Sequence, residues 1–491
     1  MAWEALVEAL TITFTLPVLG GVLTGLAIGL VFGAIPGLTA TLGIVLLLPF
    51  VWSMSPFVAF AIMLSLVSAV HTSNTFPAFF FNVPGSPSAA ATILDGYPMA
   101  RNGDAAMGLT AAFAVSAVGG IIGALTLFVL LPLLEPIVLA FAAPERFMLV
   151  VLGIVMISLL SGGKPVKGLL VGAFGLWLGT VGQDPQQGIP RYTFDQDYLL
   201  EGFNLVPIVM GLFALPEVVA LAVRGRIAEK PHVDMTEGFI PGLRACVKHW
   251  ALVLRSAFIG VVGGAIPGIG GTAAAFFAYG TAVQAAEPEE RKQFGQGDIR
   301  GVIAPESANN ASAGGELVPL LAFGIPGGAT SALLLAAFLI MGINPGPVML
   351  NEKLSLSFSM VIVLVLSNIL ATVFCILVTK QAARIAWVPS NLIIPALMVF
   401  ALFGAYASYT HPASLLVTLA FGALGYAMMN YGWARVPLLI GFILGPIAEN
   451  NLSISLASYG MEFLLRPIPI VLLALMAMIV GFAARRALRR S

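Results

Sequence analysis

Apolar residues run along this chain in long unbroken stretches rather than alternating with polar ones. Not one Asp, Glu, Lys or Arg stands between Glu8 and Asp95, and charge-free runs recur at 105–134, 256–286, 317–351 and 385–434. Each run can hold at least one bilayer-crossing helix of about 20 residues. Membrane-spanning strands would show alternation in segments of about 10 residues with a polar inner face, so the pattern predicts an all-α polytopic membrane protein.

Hydropathy places spans near 16–34, 38–52, 56–70, 106–134, 145–160, 164–181 and 203–223, then near 250–281, 315–340, 358–380, 384–403, 412–429, 435–448 and 467–484. Several are short or broken, which predicts about 11 to 14 membrane segments. Between the two sets, Arg224 to Arg255 carries Arg224, Arg226, Lys230, Arg244, Lys248 and Arg255 against Glu229, Asp234 and Glu237. The positive-inside rule makes this linker cytoplasmic, and Arg485, Arg486, Arg489 and Arg490 put the C-terminus on the same side. The chain divides accordingly into a first transmembrane repeat at 1–223, a basic linker at 224–255, and a second repeat with a basic tail at 256–491.

Composition agrees: 59% of the residues are hydrophobic and 9% charged, against roughly a quarter charged in soluble domains. An ordinary globular enzyme is excluded. Twenty-three basic and 23 acidic residues leave no net field to attract nucleic acid. Cys246 and Cys375 lie far apart and outside any ligand-spaced cluster, so neither a disulfide framework nor a zinc site is expected. The opening Met-Ala-Trp-Glu has no basic n-region, and no cleaved signal peptide is expected.

The 53 glycines and 32 prolines are more than crossing a bilayer requires, since helices favour neither residue. They fall in a repeating pattern. Gly33-Ala34-Ile35-Pro36-Gly37 returns 231 residues later as Gly264-Ala265-Ile266-Pro267-Gly268. PAFFFNVPGSPSA at 77–89 aligns with PLLAFGIPGGATS at 319–331, 242 residues later, and the inserted residues fall in the polar segment Gln284 to Arg300. That segment, with seven charged residues, is expected to emerge from the membrane. A duplicated unit with helices interrupted at matching positions points to a secondary transporter whose site lies between the repeats.

Asn82-Val83-Pro84-Gly85-Ser86-Pro87-Ser88 cannot continue a helix, because proline lacks the amide and clashes with the preceding turn. Irregular backbone at membrane depth is tolerated when it is buried in protein or lines a wet cavity. A half-helix restarting near Pro87 would offer free amides and the Ser86 and Ser88 hydroxyls to a carboxylate; Gly327, Gly328, Thr330 and Ser331, after Pro326, would form a second cup. The structural alternative is a packing kink between close helices.

Polar islands lie beside these breaks. His71-Thr72-Ser73-Asn74-Thr75 aligns with Ala313-Gly314-Gly315-Glu316-Leu317, and Pro305-Glu306-Ser307-Ala308-Asn309-Asn310 precedes the second. Ser73, Asn74, Asn82, Glu306, Asn309, Asn310 and Glu316 offer the oxygen ligands a hard cation such as Na⁺ takes, and intramembrane acids mark functional sites. The alternative for Glu306 is an interfacial position beside the polar loop, and for His71 a structural hydrogen bond rather than a proton relay. Asp95 to Arg101 reads as an extramembrane turn and Gly445 to Asn451 as a polar helix end, both structural caps. No HExxH, nucleophile elbow or P-loop is present, so the chain reads as no enzyme, with no cofactor beyond a coupling Na⁺ or H⁺. The energy source is then an ion gradient; a passive channel is the alternative.

GAIPGL at 33–38, NVPGSPSAAATILDGYPMA at 82–100, APESANNASAGGELVPLLAFGIPGG at 304–328 and GFILGPIAEN at 441–450 together resemble the large membrane subunit of tripartite tricarboxylate transporters, in consistent order from about residue 13 to 485. The resemblance implies a permease in the cell inner membrane, working with a small four-helix membrane subunit and a periplasmic solute-binding protein to import a carboxylate with Na⁺ or H⁺. It implies further that the two Pro-Gly breaks line the substrate site, with the Asn, Ser and Gly elements beside them holding the coupling ion. One departure stands out: His71-Thr72-Ser73-Asn74 replaces the aromatic-Gly-Gly-Ser usual in the family's first repeat.

Overall fold

The computed structural model describes residues 2–160, 165–184, 187–224, 238–385 and 390–488. Among these residues the fold is helical apart from one two-residue antiparallel pairing, Gly182–Gln183 with Pro190–Arg191. Seven helices are long and apolar enough to cross a membrane, an eighth span forms if the bent pair Phe239–Lys248 and Trp250–Ala265 is one unit, and five shorter apolar helices accompany them. The chain is a multi-pass membrane protein of the expected all-α class.

Two expected spans are redrawn. The stretch 250–281 is two helices, Trp250–Ala265 and Gly270–Ala285, parted at the Ile266-Pro267-Gly268 break. The stretch 315–340 is the end of one helix, Arg300–Phe323, and the whole of another, Ala329–Ile340. Hydropathy misplaces the first of these because residues 300–316 are polar. They are nonetheless buried: along Arg300–Phe323, all but Arg300, Ala313 and Phe323 lie in the interior. This polar helix is solvated by protein rather than by water or lipid.

Glycines make that burial possible. A side chain at Gly119 or Gly123 of the Ala105–Leu139 helix would strike the backbone of Ser307 or Ala311, and one at Gly260 or Gly264 the backbone of Ala308 or Ser312. The polar helix is thus clasped from two sides by backbones that approach through small residues, the usual device for joining helices in lipid. In the first copy, Gly21, Gly25, Gly29 and Gly33 of the Leu16–Ala34 helix abut the Pro56–Ser73 helix in the same way.

Backbone geometry recurs at several matching positions of the breaks. Ile35 caps its helix at φ −97°, ψ 116° and Ile266 at φ −90°, ψ 114°; Gly37 and Gly268 follow at φ +91° and +87°. At the later break, Asn82 and Gly324 are both left-handed, at φ 56° and 69°. Ser86 and Gly328 then return to extended backbone at φ −144° and −156°. Left-handed backbone is open to Gly and, among other residues, best tolerated by Asn, which accounts for the amino acid at each position.

The basic stretch is not wholly a linker. Arg226 and Lys230 lie outside the described residues, as do Arg489 and Arg490 of the tail. From Phe239 the chain is helical, Gly242 lies against Met107 and Thr110, and residues 250–255 belong to the Trp250–Ala265 helix.

Asp95 is no turn cap. It lies fully buried within the Ala90–Arg101 helix, and its Oδ1 accepts the backbone N–H groups of Gly295, Gly297 and Asp298 at 2.8, 2.9 and 2.8 Å, while Oδ2 accepts from Tyr279 at 3.0 Å. The polar segment after Gln284 is therefore moored to the first half. Arg300 clasps it internally through Glu290 at 2.5 Å and Asp298 at 2.6 Å, and the guanidinium holds the Glu290 carboxyl below the usual carboxylate range. Glu449, read as part of a helix end, instead binds Arg191 through both carboxylate oxygens, at 2.5 and 3.0 Å.

Candidate functional site

Proline and glycine end four helices in the interior, and the chain restarts beside each end. The four restarts face one another. A cavity of about 510 Å³ is lined by Thr39, Ala40 and Thr41 after the first break, Ser86, Pro87 and Ser88 after the second, Gly268 to Thr272 after the third, and Gly328, Ala329 and Thr330 after the fourth. Gly268 N–H donates to the Gly327 carbonyl at 2.9 Å, joining the two breaks of the second copy.

The predicted anion cups are unequal. In the first, Asn74 Nδ2 donates to Ser86 Oγ at 2.6 Å, and Ser86 Oγ and Ser88 Oγ are 2.8 Å apart. That pair shares one hydroxyl hydrogen between them and retains the other for a ligand. In the second, Glu316 occupies the place corresponding to Asn74, and its Oε2 accepts from Ser331 N–H at 3.3 Å. A carboxylate of the protein itself already caps the Ala329–Ile340 helix. Ser331 turns its hydroxyl to the backbone, accepting from Gly328 N–H at 2.8 Å, so Thr330 is the hydroxyl of this cup that lines the cavity.

The amide groups beside the cavity have their N–H donors committed and their oxygens free. Asn309 Nδ2 donates to the His71 carbonyl at 3.1 Å; Asn310 Nδ2 donates to Thr72 Oγ1 at 3.0 Å and to Asn368 Oδ1 at 2.9 Å. Asn74, Asn309 and Asn310 are all buried, and the Oδ1 atom of each has no hydrogen-bond partner. An unmatched buried acceptor costs about 1–3 kcal/mol. Three such oxygens on packed neighbouring segments have the chemistry of a hard-cation site. His71 and Asn309 also line the cavity, which places Asn309 at its wall, while Asn74 touches the wall through Ser86.

Other predicted residues lie elsewhere. Glu306 is fully buried and does not line the cavity; Thr92 and Ser116 donate to its carboxylate at 2.6 and 3.3 Å. Ser73 gives its hydroxyl to the carbonyls of Ala69 and Gly29 at 2.7 and 3.2 Å and fastens two helices together. Asn82 is exposed and serves as the left-handed cap described above. Pro36, Gly37, Pro84, Pro267, Gly268 and Pro326 all fall at the breaks.

Sequence reading missed one wall of the cavity, formed by Phe213, Glu217, Trp433 and Arg435. Arg435 Nη2 lies 2.6 Å from Glu217 Oε1, Nη1 donates to the Leu212 carbonyl at 3.2 Å, and the guanidinium sits 5.2 Å from the centre of the Phe213 ring. Leu212 and Phe213 belong to Met210–Ala214, a π-helical turn of a kind frequent at functional sites. A signal existed: Arg435 ends a charge-free run that begins at residue 385.

A family model described as tripartite tricarboxylate transporter TctA family matches residues 19–440. An uncharacterized 52.8 kDa protein of the TAR-I ttuC' 3' region in Agrobacterium vitis is 33% identical over 454 residues, covering 90% of this chain and 88% of the relative. An uncharacterized protein of the TAR-II ttuC' 3' region in the same organism is 33% identical over 189 residues, 38% of this chain and 77% of the relative. No solved structure matches.

Proposed function

Because the chain belongs to the tripartite tricarboxylate transporter TctA family, we propose that it is the translocating subunit of a secondary active symporter that imports a small organic carboxylate with Na⁺ or H⁺. The meeting of four interrupted helices in one cavity is the observation that carries this reading. Opposed half-helix ends near the centre of duplicated folds are where secondary transporters hold an anion and its coupling ion.

Under this reading the solute carboxylate takes the hydroxyls of Ser86 and Ser88, with Thr330 on the facing side. The cation takes the free amide oxygens of Asn74, Asn309 and Asn310, with Glu316 as the nearby negative charge. Asn74 belongs to both sites: its NH₂ supports Ser86 while its oxygen has no protein partner. A cation on that oxygen polarises the amide and strengthens the hydrogen bond beneath the anion, which is a coupling free energy between two sites. Partial capping of the second cup by Glu316 directs the solute to the first.

The subunit would sit in the cell inner membrane with a cytoplasmic C-terminus, fed by a periplasmic solute-binding protein and accompanied by a small four-helix membrane subunit. The test is uptake of labelled di- and tricarboxylates into proteoliposomes with and without an imposed Na⁺ or H⁺ gradient and those two partners. Accumulation against a concentration gradient that requires the ion supports the reading. Equilibration without accumulation would make the chain a passive channel and overturn it.

A further inference from the structure

We propose that Arg435 is the residue that grips a carboxylate of the transported solute, and that Glu217 holds its guanidinium ready until that carboxylate arrives. The inference rests on the carboxylate reading above and names the side chain that would set its specificity. Arg435 is the only Lys or Arg lining the cavity among the described residues. Its surroundings are built around the guanidinium: the Leu212 carbonyl, the Phe213 ring and the Glu217 carboxylate all come from one short stretch of chain that turns through a π-helical segment.

Helix stability does not explain the position. Arg435 is the N-cap of the Val436–Tyr459 helix, where the macrodipole is positive and a cation is unfavourable. A cation added to a helix N-terminus instead sums two attractions for an anion. The guanidinium is also not sealed in: its side chain keeps 17% exposure and that of Glu217 25%. Of the five N–H donors, one meets Leu212 and one meets Glu217, leaving donors for the forked recognition of an incoming carboxylate. Exchange of Glu217 for a solute carboxylate keeps Arg435 paired throughout, and the released Glu217 carboxylate, 25% exposed, is left to the cavity it lines. A solute with two carboxylates could engage Arg435 with one and the Ser86–Ser88 hydroxyls with the other.

The test is uptake kinetics of labelled succinate, malate and citrate, with acetate as a one-carboxylate control, by the full chain with its partners. Wild type is compared with Arg435→Gln, Arg435→Lys and Glu217→Gln, and the folded fraction is followed by size exclusion and thermal unfolding. Loss of a charge-assisted fork is expected to raise KM by about 10- to 100-fold in Arg435→Gln, with a smaller fall in maximal rate and a smaller effect on acetate. Arg435→Lys should recover part of the affinity. Glu217→Gln, which removes the competing carboxylate, should lower KM several-fold. A purely structural ion pair predicts otherwise: both neutral variants would lose folded protein and maximal rate together at unchanged KM, and that result overturns the assignment. If Arg435→Gln does not fold, an unchanged or raised KM in Glu217→Gln overturns it alone. Wild type that accumulates none of the panel sinks the carboxylate reading as well, whereas normal wild-type uptake with indifferent variants sinks only this inference.

Discussion

Asn74 donates to Ser86 across 2.6 Å, although a helix end and a left-handed turn separate them along the chain. In the second copy the corresponding place is held by Glu316, whose carboxylate accepts from the backbone of Ser331 at 3.3 Å. The two matching breaks therefore carry a neutral donor at one and an acid at the other.

That difference predicts opposite responses to exchanging the charges. Asn74→Asp places a carboxylate against Ser86, where it repels the solute, and carboxylate uptake should fall at least tenfold through KM. Glu316→Gln frees the second helix end and should retain solute binding while losing dependence on the driving ion. Isotope uptake across a series of Na⁺ concentrations and pH values measures both; a Glu316→Gln protein with wild-type ion dependence would remove Glu316 from the coupling machinery.

Removing the cup hydroxyls should weaken uptake without affecting insertion. Ser86→Ala combined with Thr330→Ala is expected to raise KM about 10-fold or more, as each hydrogen bond to a charged group contributes about 1.5–3 kcal/mol. Ser331→Ala should act mainly on stability, because its hydroxyl serves the backbone of Gly328. Unchanged uptake in the double variant, with normal membrane insertion, would refute the anion-site assignment.

The unmatched amide oxygens lead to a cation test. Asn309→Ala and Asn310→Ala should each raise the Na⁺ concentration giving half-maximal uptake severalfold, with Asn310→Ala the more destabilising because its NH₂ also serves Thr72 and Asn368. Na⁺-protected thermal unfolding of the purified protein checks this directly; equal protection in wild type and both variants argues that the oxygens hold no ion.

Asp95 offers a prediction about stability. Asp95→Ala leaves the backbone amides of Gly295, Gly297 and Asp298 without their acceptor, at about 1–3 kcal/mol for each that stays unpaired. Hydrogen exchange at 295–298 should accelerate markedly, with Asp95→Asn intermediate because its oxygen still accepts. Exchange that stays slow in Asp95→Ala would show that the segment is held by other contacts.

Close helix contacts give a packing prediction. A side chain at Gly33 would meet Ser73 Oγ, and one at Gly264 the Ser312 carbonyl. Gly33→Val and Gly264→Val should lower the melting temperature of the detergent-solubilised protein, by a destabilisation of about 1–3 kcal/mol or more. Gly20, which has open space around it, is the control expected to tolerate Ala with little change.

Membrane residence, the helical class, the interruptions and the recurrence of their motifs were all legible in the sequence by itself. Each follows from local chemistry: the length of a charge-free run, the missing amide of proline, the left-handed freedom of Gly and Asn, and the order in which motifs recur. Ser86, Ser88, Thr330, Asn74 and Glu316 could be nominated because they adjoin those interruptions. The tertiary structure alone decided what those residues face. The Arg300–Phe323 helix is buried because glycines of two neighbouring helices let their backbones approach it, and no hydropathy window contains that contact. Arg435 and Glu217 meet at the cavity from distant parts of the chain, Glu306 is bound by Thr92 and Ser116 and does not line it, and Glu316 fills the cup that spacing alone had left open. A sequence records where a helix must stop, but which side chains share the space beyond that end depends on how closely the surrounding helices pack.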